Sequence, residues 1–246
     1  MRILSYNIRR GGAGREVSLA SVIRTVNPDV VVLEEATRPD VVERLASDTG
    51  MQQWSSKAGK SLAFMSRHSI VSYAAHRPAI SRHAFLEIVP AATSWRVFGV
   101  HLSAVHAAWT ERRRLFELRA LLRAVATHQA GPHILIGDFN TVAPGEIFDV
   151  WRLPRRLRAL VWLSGGHIRW RTIATVLAAG YVDSFRQLHP HDLGHTLPTP
   201  DPHVRLDYAF VPGAFVQHVR SCEIVRTPDV ASASDHLPLL LEVNEP

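Results

Sequence analysis

His133-Ile134-Leu135-Ile136-Gly137-Asp138-Phe139-Asn140 is an apolar run that stops on an acid and an amide. Apolar at successive positions, it reads as a strand buried on both faces rather than one with a wet side. Its polar end then stands where the strand leaves the core. Val30-Val31-Val32-Leu33 repeats the pattern and ends at Glu34-Glu35. Ile3-Leu4-Ser5-Tyr6-Asn7-Ile8 and Arg96-Val97-Phe98-Gly99-Val100-His101 are further strand patterns, which carry Asn7 and His101. Strand ends along one edge of a sheet can bring such groups together.

Helical patterns lie between these strands. The loop Arg10-Gly11-Gly12-Ala13-Gly14 precedes a helix near Val17 to Val26, which Asn27-Pro28-Asp29 stops. Pro39 and Gly50 bracket a second helix over 39–49. Strand patterns follow at Leu62 to Met65, Ile70 to Ala75 and Ala84 to Val89. The longest helix spans Thr110 to His128, with Leu115, Leu118, Leu122 and Val125 spaced as one buried stripe. Leu206 to Val211 and Leu237 to Val243 supply the last strands. No repeat, low-complexity tract or Gly/Ser linker divides the chain, so a single domain over 1–246 is expected. Clustered strands with intervening helices fit two packed sheets covered by helices better than a simple βαβ repeat.

Composition narrows the function. With 46% hydrophobic residues, 246 residues suffice for a sizeable core. The lone cysteine, Cys222, excludes an internal disulfide framework and a zinc site built on several thiolates, so any metal sits on oxygen or imidazole. No uncharged apolar run approaches the roughly 18 residues that span a bilayer. Strand-like residues begin at once, so a cytoplasmic, reducing location without a signal peptide is the expectation. Basic residues outnumber acids 28 to 22, a net charge of +6, and only Lys57 and Lys60 are lysines. Arginine's planar fork suits phosphate, which favours nucleic acid or another phosphorylated partner.

Polar residues recur where apolar strands stop: Asn7, Glu35, His101, Asp138 with Asn140, Asp207, and Asp235 with His236. Taken singly, each has an ordinary structural role, such as Asx-turn chemistry at Asp138 to Asn140 or a turn cap at Ser234-Asp235. In order along the chain they are far more specific. Ser5-Tyr6-Asn7-Ile8, Val32-Leu33-Glu34-Glu35, Val100-His101-Leu102, Gly137-Asp138-Phe139-Asn140, Arg205-Leu206-Asp207-Tyr208 and Ser234-Asp235-His236-Leu237-Pro238 resemble, from end to end, the endonuclease/exonuclease/phosphatase superfamily. Phe64-Met65-Ser66-Arg67, Gly180-Tyr181-Val182-Asp183-Ser184 and His195-Thr196-Leu197-Pro198 agree.

The resemblance implies an α/β fold, a four-layered α/β sandwich of two packed mixed β-sheets flanked by helices, and metal-dependent phosphodiester hydrolysis. A phosphodiester's transition state gathers charge on its non-bridging oxygens, so the site needs a hard cation and positioned donors. Carboxylates suit Mg²⁺ or Mn²⁺. Glu35 matches the family's principal metal ligand, and Asp235 helps directly or through water; one ion and two ions both fit the motifs. His236 matches the family histidine that pairs with a carboxylate, here Asp207, and takes a proton from the attacking water or stabilises the phosphorane-like oxygens. Asp138 competes for the role of orienting or deprotonating that water. Asn140 and Asn7 are matched to donors to a phosphate oxygen, and His101 to a donor to a non-bridging oxygen.

Two departures bear on the substrate. Members similar to pancreatic deoxyribonuclease back the histidine matched by His101 with a glutamate on an earlier strand, whereas Ser61-Leu62-Ala63-Phe64-Met65-Ser66 has no acid. His101 then reads as an electrostatic donor. Apurinic-site endonucleases carry a Tyr/Asp pattern near this position, so His101 argues against close kinship with them. Many members have Gln where this chain has Glu34, which either adds a charge near the metal or faces away.

Residues 146–179 are rich in Trp, Leu and Arg. After Pro154 a basic amphipathic helix is expected, with Leu157, Leu160 and Val161 on one face and Arg155, Arg156 and Arg158 largely off it. Its ordinary role is to cover the domain with the apolar stripe. Its functional versions are a nucleic-acid clamp, with arginines on phosphates and Trp151, Trp162 or Trp170 on bases, or a membrane-surface patch. His189, His191, Asp192 and His195 lack a matching downstream ligand set and read as a loop bordering the cleft. The leading expectation is a Mg²⁺- or Mn²⁺-dependent nuclease, endo- or exonucleolytic, that cuts DNA or RNA by in-line attack of water in repair or turnover. The enzymatic alternative is a phospholipid or sphingomyelin phosphodiesterase. The non-enzymatic one is a nucleic-acid-binding module that keeps the fold without the activity.

Overall fold

Both faces of the central strands are buried, as their unbroken apolar runs require. The computed structural model describes residues 1–77, 84–91, 93–104, 108–126, 130–146, 149–163 and 171–246. In chain order its elements are β1 (Arg2–Asn7), α1 (Glu16–Val26), β2 (Val30–Glu34), α2 (Pro39–Thr49), β3 (Gln53–Ser55), β4 (Ala63–Ser66), β5 (Ile70–His76), β6 (Phe85–Pro90), β7 (Arg96–His101), α3 (Ala108–Val125), β8 (His133–Asp138), α4 (Arg155–Leu163), α5 (Arg171–Ala178), β9 (Tyr181–Asp183), α6 (Ser184–Leu188), β10 (Asp207–Pro212), β11 (Val219–Ile224), α7 (Val230–Ala233) and β12 (Leu239–Val243).

The strands form two six-stranded sheets, ordered β11-β12-β1-β2-β4-β3 and β5-β6-β7-β8-β10-β9. Each is mixed: β1 and β2 are parallel in the first, β7 and β8 in the second, and the remaining pairings are antiparallel. A helix makes each parallel crossover, α1 between β1 and β2 and α3 between β7 and β8.

Successive side chains serve different cores. Val31 and Leu33 pack under α1 and α2, against Leu19, Ile23 and Leu45, whereas Val30 and Val32 join the core between the sheets. Likewise Leu135 meets Leu118, Leu121 and Ile173 of α3 and α5, while Ile134 and Ile136 face the first sheet. Helix, sheet, sheet and helix thus stack as the expected four-layered α/β sandwich.

Helix boundaries follow capping signals. α2 starts with Pro39 and ends where Gly50, at φ 69°, returns its N–H to Ala46 and Ser47. α3 begins at Ala108, earlier than expected, and is described to Val125; residues 127–129, part of the expected helix, lie outside the described set. β10 starts at Asp207, one residue later than expected. Among the described residues no helix is long and apolar enough to cross a membrane.

Candidate active site

At one end of the inter-sheet core the inward positions turn polar. Counting inward residues along each strand gives Ile3, Ser5 and Asn7 on β1, Val30, Val32 and Glu34 on β2, and Ile134, Ile136 and Asp138 on β8. On β7 the series is Val97, Gly99 and His101, and on the oppositely directed β10 it is Val211, Ala209 and Asp207. Register makes these polar ends one row: Asn7 lies opposite Glu34, and Asp138 lies between His101 and Asp207. Gly137 permits the close fit beside Asp138. Its φ is +148°, and a Cβ there would stand 1.9 Å from the Val100 carbonyl oxygen.

The side chains in this row contact one another. His236 Nδ1 lies 3.0 and 3.3 Å from the Asp207 carboxylate oxygens. Asn7 Nδ2 donates to Asp138 Oδ2 at 3.1 Å and to Glu35 Oε1 at 3.5 Å. Asp138 also accepts from the Asn140 backbone N–H at 2.8 Å and from Asn140 Nδ2 at 2.9 Å. Glu35 Oε2 accepts the Arg10 N–H at 2.6 Å, and Arg9 pairs with Asp235 at 3.2 Å. Glu35 and Asp235 therefore both abut the short turn after β1. Ser234 Oγ donates to the Asn7 carbonyl at 2.6 Å, fastening the Asp235-His236 segment to β1. His101 Nε2 stands 3.9 Å from Asp138 Oδ2.

Backbone strain concentrates on this edge. Arg9, Arg10, Glu35 and Asn140 all have φ between 50° and 55°, and among the described non-glycine residues only Asn27, which caps α1, joins them. Left-handed conformations cost on the order of 1–3 kcal/mol each and persist where the surroundings hold them, typically at working sites.

Burial and charge tune the acids and the imidazole. Burial opposes a charge on His236, but Asp207 beside it overrides that, with help from Asp138 and Asp235, and the imidazole is pushed up to about 10. Burial and then the Asp207 charge push the Asp138 carboxyl up to about 7, against His236 and the Asn140 and Asn7 donors. The two environments push these groups' titrations in the same direction from different starting points, so His236 and Asp138 titrate well apart.

The family model described as Endonuclease/Exonuclease/phosphatase matches residues 4–236. The chain belongs to the endonuclease/exonuclease/phosphatase family. No curated protein matches it. Among solved structures it resembles an AP endonuclease from Archaeoglobus fulgidus, with TM-score 0.77, 16% identity and 99% of each chain covered. The 3' phosphatase NExo from Neisseria, bound to product DNA hairpin, gives TM-score 0.75 at 18% identity, again over 99% of each chain. The 3'-5' exonuclease NExo from Neisseria meningitidis gives 0.73 at 18%, over 99% of this chain and 100% of that one. Likeness at these identities shows the fold.

Endonuclease/exonuclease/phosphatase enzymes are divalent-metal dependent, and the donors here are hard oxygens and imidazole, which fits such an ion. Among the described residues, the group of three or more His, Cys, Asp or Glu close enough to share a metal is Asp138, Asp207 and His236, with ligand atoms within 4.8 Å of one another. Two of these already bind each other as an Asp–His pair. Glu35 and Asp235 are half-buried at the rim of that group, with lone pairs turned to the same turn.

Two family positions take forms that sequence alone left open. Glu34 faces inward rather than away, bonded by Ser5 Oγ at 2.8 Å, and its Oε2 has no partner among the described residues. Burial, with Asp207 and Asp138 nearby, pushes its carboxyl well above the usual range. His101 is backed by a hydroxyl: Ser61 Oγ bonds Nδ1 and also accepts the Glu35 N–H at 3.3 Å. The run from Ser61 to Ser66 indeed holds no acid, and the hydroxyl that takes the place of one has no periodic signature and a partner 40 residues away.

Farther out, α4 buries Val161 and leaves Arg155, Arg156 and Trp162 exposed, with Arg158 over the Trp151 ring at 5.5 Å. No hydrogen bond or ion pair among the described residues joins Arg155, Arg156, Arg158 or Trp162 to the polar row. Trp170 lies outside the described residues. The histidines near 190 do not converge: His189 binds the Cys222 carbonyl at 3.0 Å, and the loop packs by Phe185.

Proposed function

We propose that this chain is a nuclease that hydrolyses phosphodiester bonds of DNA or RNA by in-line attack of water with Mg²⁺ or Mn²⁺ bound. The observation that carries the reading is the buried convergence of Asp138, Asp207 and His236, with Asn7 bridging Asp138 to Glu35. The DNA-directed nuclease and phosphatase named among the structural neighbours support a nucleic-acid substrate.

Glu35, with Asp235 directly or through water, would hold the cation. When bound, it neutralises charge on the phosphate and lowers the cost of the charged transition state. Asp138, fixed by three donor hydrogen bonds, orients the attacking water and accepts its proton. Asp207 holds His236 as an imidazolium that donates to a non-bridging oxygen as charge builds there. Asn7 spends its amide on both acids and so fixes their spacing. His101 supplies a second donor. Arg155, Arg156, Arg158 and Trp162 form an outer basic flank for more distant phosphates.

The test is product analysis on labelled DNA, RNA and phospholipid vesicles with Mg²⁺ or Mn²⁺, for the natural protein, Glu35→Gln and His236→Ala. Nucleic-acid cleavage that both substitutions abolish, with an unchanged circular dichroism spectrum, is the expected result. Head-group release without cleavage of nucleic acid would assign the site to a lipid phosphodiesterase, and salt-sensitive DNA binding with no turnover under any divalent ion would make it a binding module.

A further inference from the structure

We infer that the cleft running from Glu35 and His101 toward α3 binds an unpaired stretch of nucleic acid and directs the site to single-stranded ends or loops. This rests on the nuclease reading above and adds its substrate class. The cleft has a volume of about 1100 Å³ and shares Glu35, Ser61 and His101 with the catalytic edge, so whatever fills it continues into the site. That exceeds the range of roughly 300–1000 Å³ for small-molecule sites and gives room for more than one nucleotide.

Its lining divides by chemistry. Lys57 and Lys60, the protein's only lysines, stand exposed on the loop between β3 and β4. No ion pair holds either of them among the described residues. Arg113 of α3, paired with Glu117 at 3.5 Å, and Arg77 line other parts of the cleft, and Glu35 is the one acid among the described lining residues. The field is therefore cationic along the walls, as a polyphosphate backbone requires. Two exposed rings share the lining: Tyr73 is 52% exposed and Trp109 56%, while Phe85 is buried. Phe64 meets the Tyr73 ring edge-on at 5.1 Å, which holds that ring in place.

A closed duplex cannot use such a surface. Its base faces are covered by neighbouring bases, and it offers proteins phosphates and groove edges. A cleft that holds both exposed rings and lysines fits bases that have left the stack, with phosphates on the lysines and rings against base faces. DNA and RNA present that chemistry equally.

The experiment is fluorescence anisotropy in EDTA with labelled (dT)6, (rU)6 and a blunt hairpin duplex, and sedimentation with phosphatidylglycerol vesicles. It uses the full chain, Trp109→Ala and the double substitution Lys57→Glu/Lys60→Glu, with thermal melting to confirm the fold. Each variant should weaken binding of (dT)6, (rU)6 or both by about tenfold or more, while duplex affinity changes less than twofold. Unchanged single-strand affinity, equal losses on duplex, or a loss confined to vesicles would overturn the assignment. Because binding is read without turnover, a protein that binds (dT)6 through these residues yet cuts no phosphodiester keeps the cleft and defeats the nuclease reading instead.

Discussion

Asp138 and His236 have side-chain atoms within 4.8 Å of each other, yet their environments set their titrations well apart, at about 7 and about 10. If Asp138 accepts the proton of water, only its ionised form works. The rate on a nucleic-acid substrate should then rise with pH through about 7 and level off, and Asp138→Asn should lower kcat by roughly 10²–10⁴-fold at any pH in that range. A flat pH–rate profile from 5 to 8 would remove Asp138 from that role. Ser61 carries a second prediction. Its Oγ bonds His101 Nδ1, and Nε2 faces the Asp138 carboxyl at 3.9 Å, an arrangement that favours the ring proton on Nε2 with the Ser61 hydroxyl donating to Nδ1. Nitrogen-15 spectra of the neutral ring should show the Nε2–H tautomer, and Ser61→Ala should lose that bias and lower kcat about tenfold with little change in KM; an unaltered tautomer would contradict this. The acids and histidines were legible because each ends an apolar run, whereas Ser61 and the inward turn of Glu34 were not, since both depend on partners distant in sequence.

At the scale of elements, period-two burial on strands covered by helices is what aligns the site. Asp138 points inward because Ile134 and Ile136 do, and Gly137 lets β8 lie against β7. Gly137→Ala forces a Cβ into the Val100 carbonyl at a φ that side chains rarely adopt, so it should cost on the order of 3 kcal/mol or more in guanidinium unfolding and remove activity with it. Stability equal to the natural protein would mean that this approach is not real. The strands seen in advance are four to seven residues long, enough to display a pattern of apolar positions. β3 and β9 have three residues each, too few to display a period, and β11 is an edge strand with one buried residue, Cys222, so its pattern is mostly polar. The α4 helix was legible from its stripe, and Trp162, which lies off that stripe, is exposed.

For the whole molecule, the groups that make the site also tie stability to pH. His236 is raised from 6.5 to about 10 in the fold, so its stabilising contribution is complete below pH 6.5 and is lost as pH rises through 10. Asp138 is raised from 3.8 to about 7, so the fold favours its protonated form, and that contribution is complete below pH 3.8 and lost as pH rises through 7. Both losses have the same sign between pH 6 and 9. The protein in EDTA should melt at a lower temperature at pH 9 than at pH 6, and a divalent cation should recover part of the difference at pH 9; a higher melting temperature at pH 9 would contradict the coupling of these groups.

The four layers themselves followed from clustered buried strands with helices between them, and the order of motifs pointed to one edge. What neither pattern carried was the cleft beside that edge, because Lys57, Tyr73 and Trp109 come from separate loops and elements and meet only in the folded chain. Hydrolysis of a labelled oligonucleotide in H₂¹⁸O with Mg²⁺ or Mn²⁺, followed by mass spectrometry of the products, tests water attack at phosphorus most directly. One ¹⁸O atom in each newly formed terminal phosphate for the natural protein, and no product from Glu35→Gln, is the predicted result. Cleavage that leaves the phosphate unlabelled, or no cleavage of DNA or RNA by the natural protein with either ion, would contradict it.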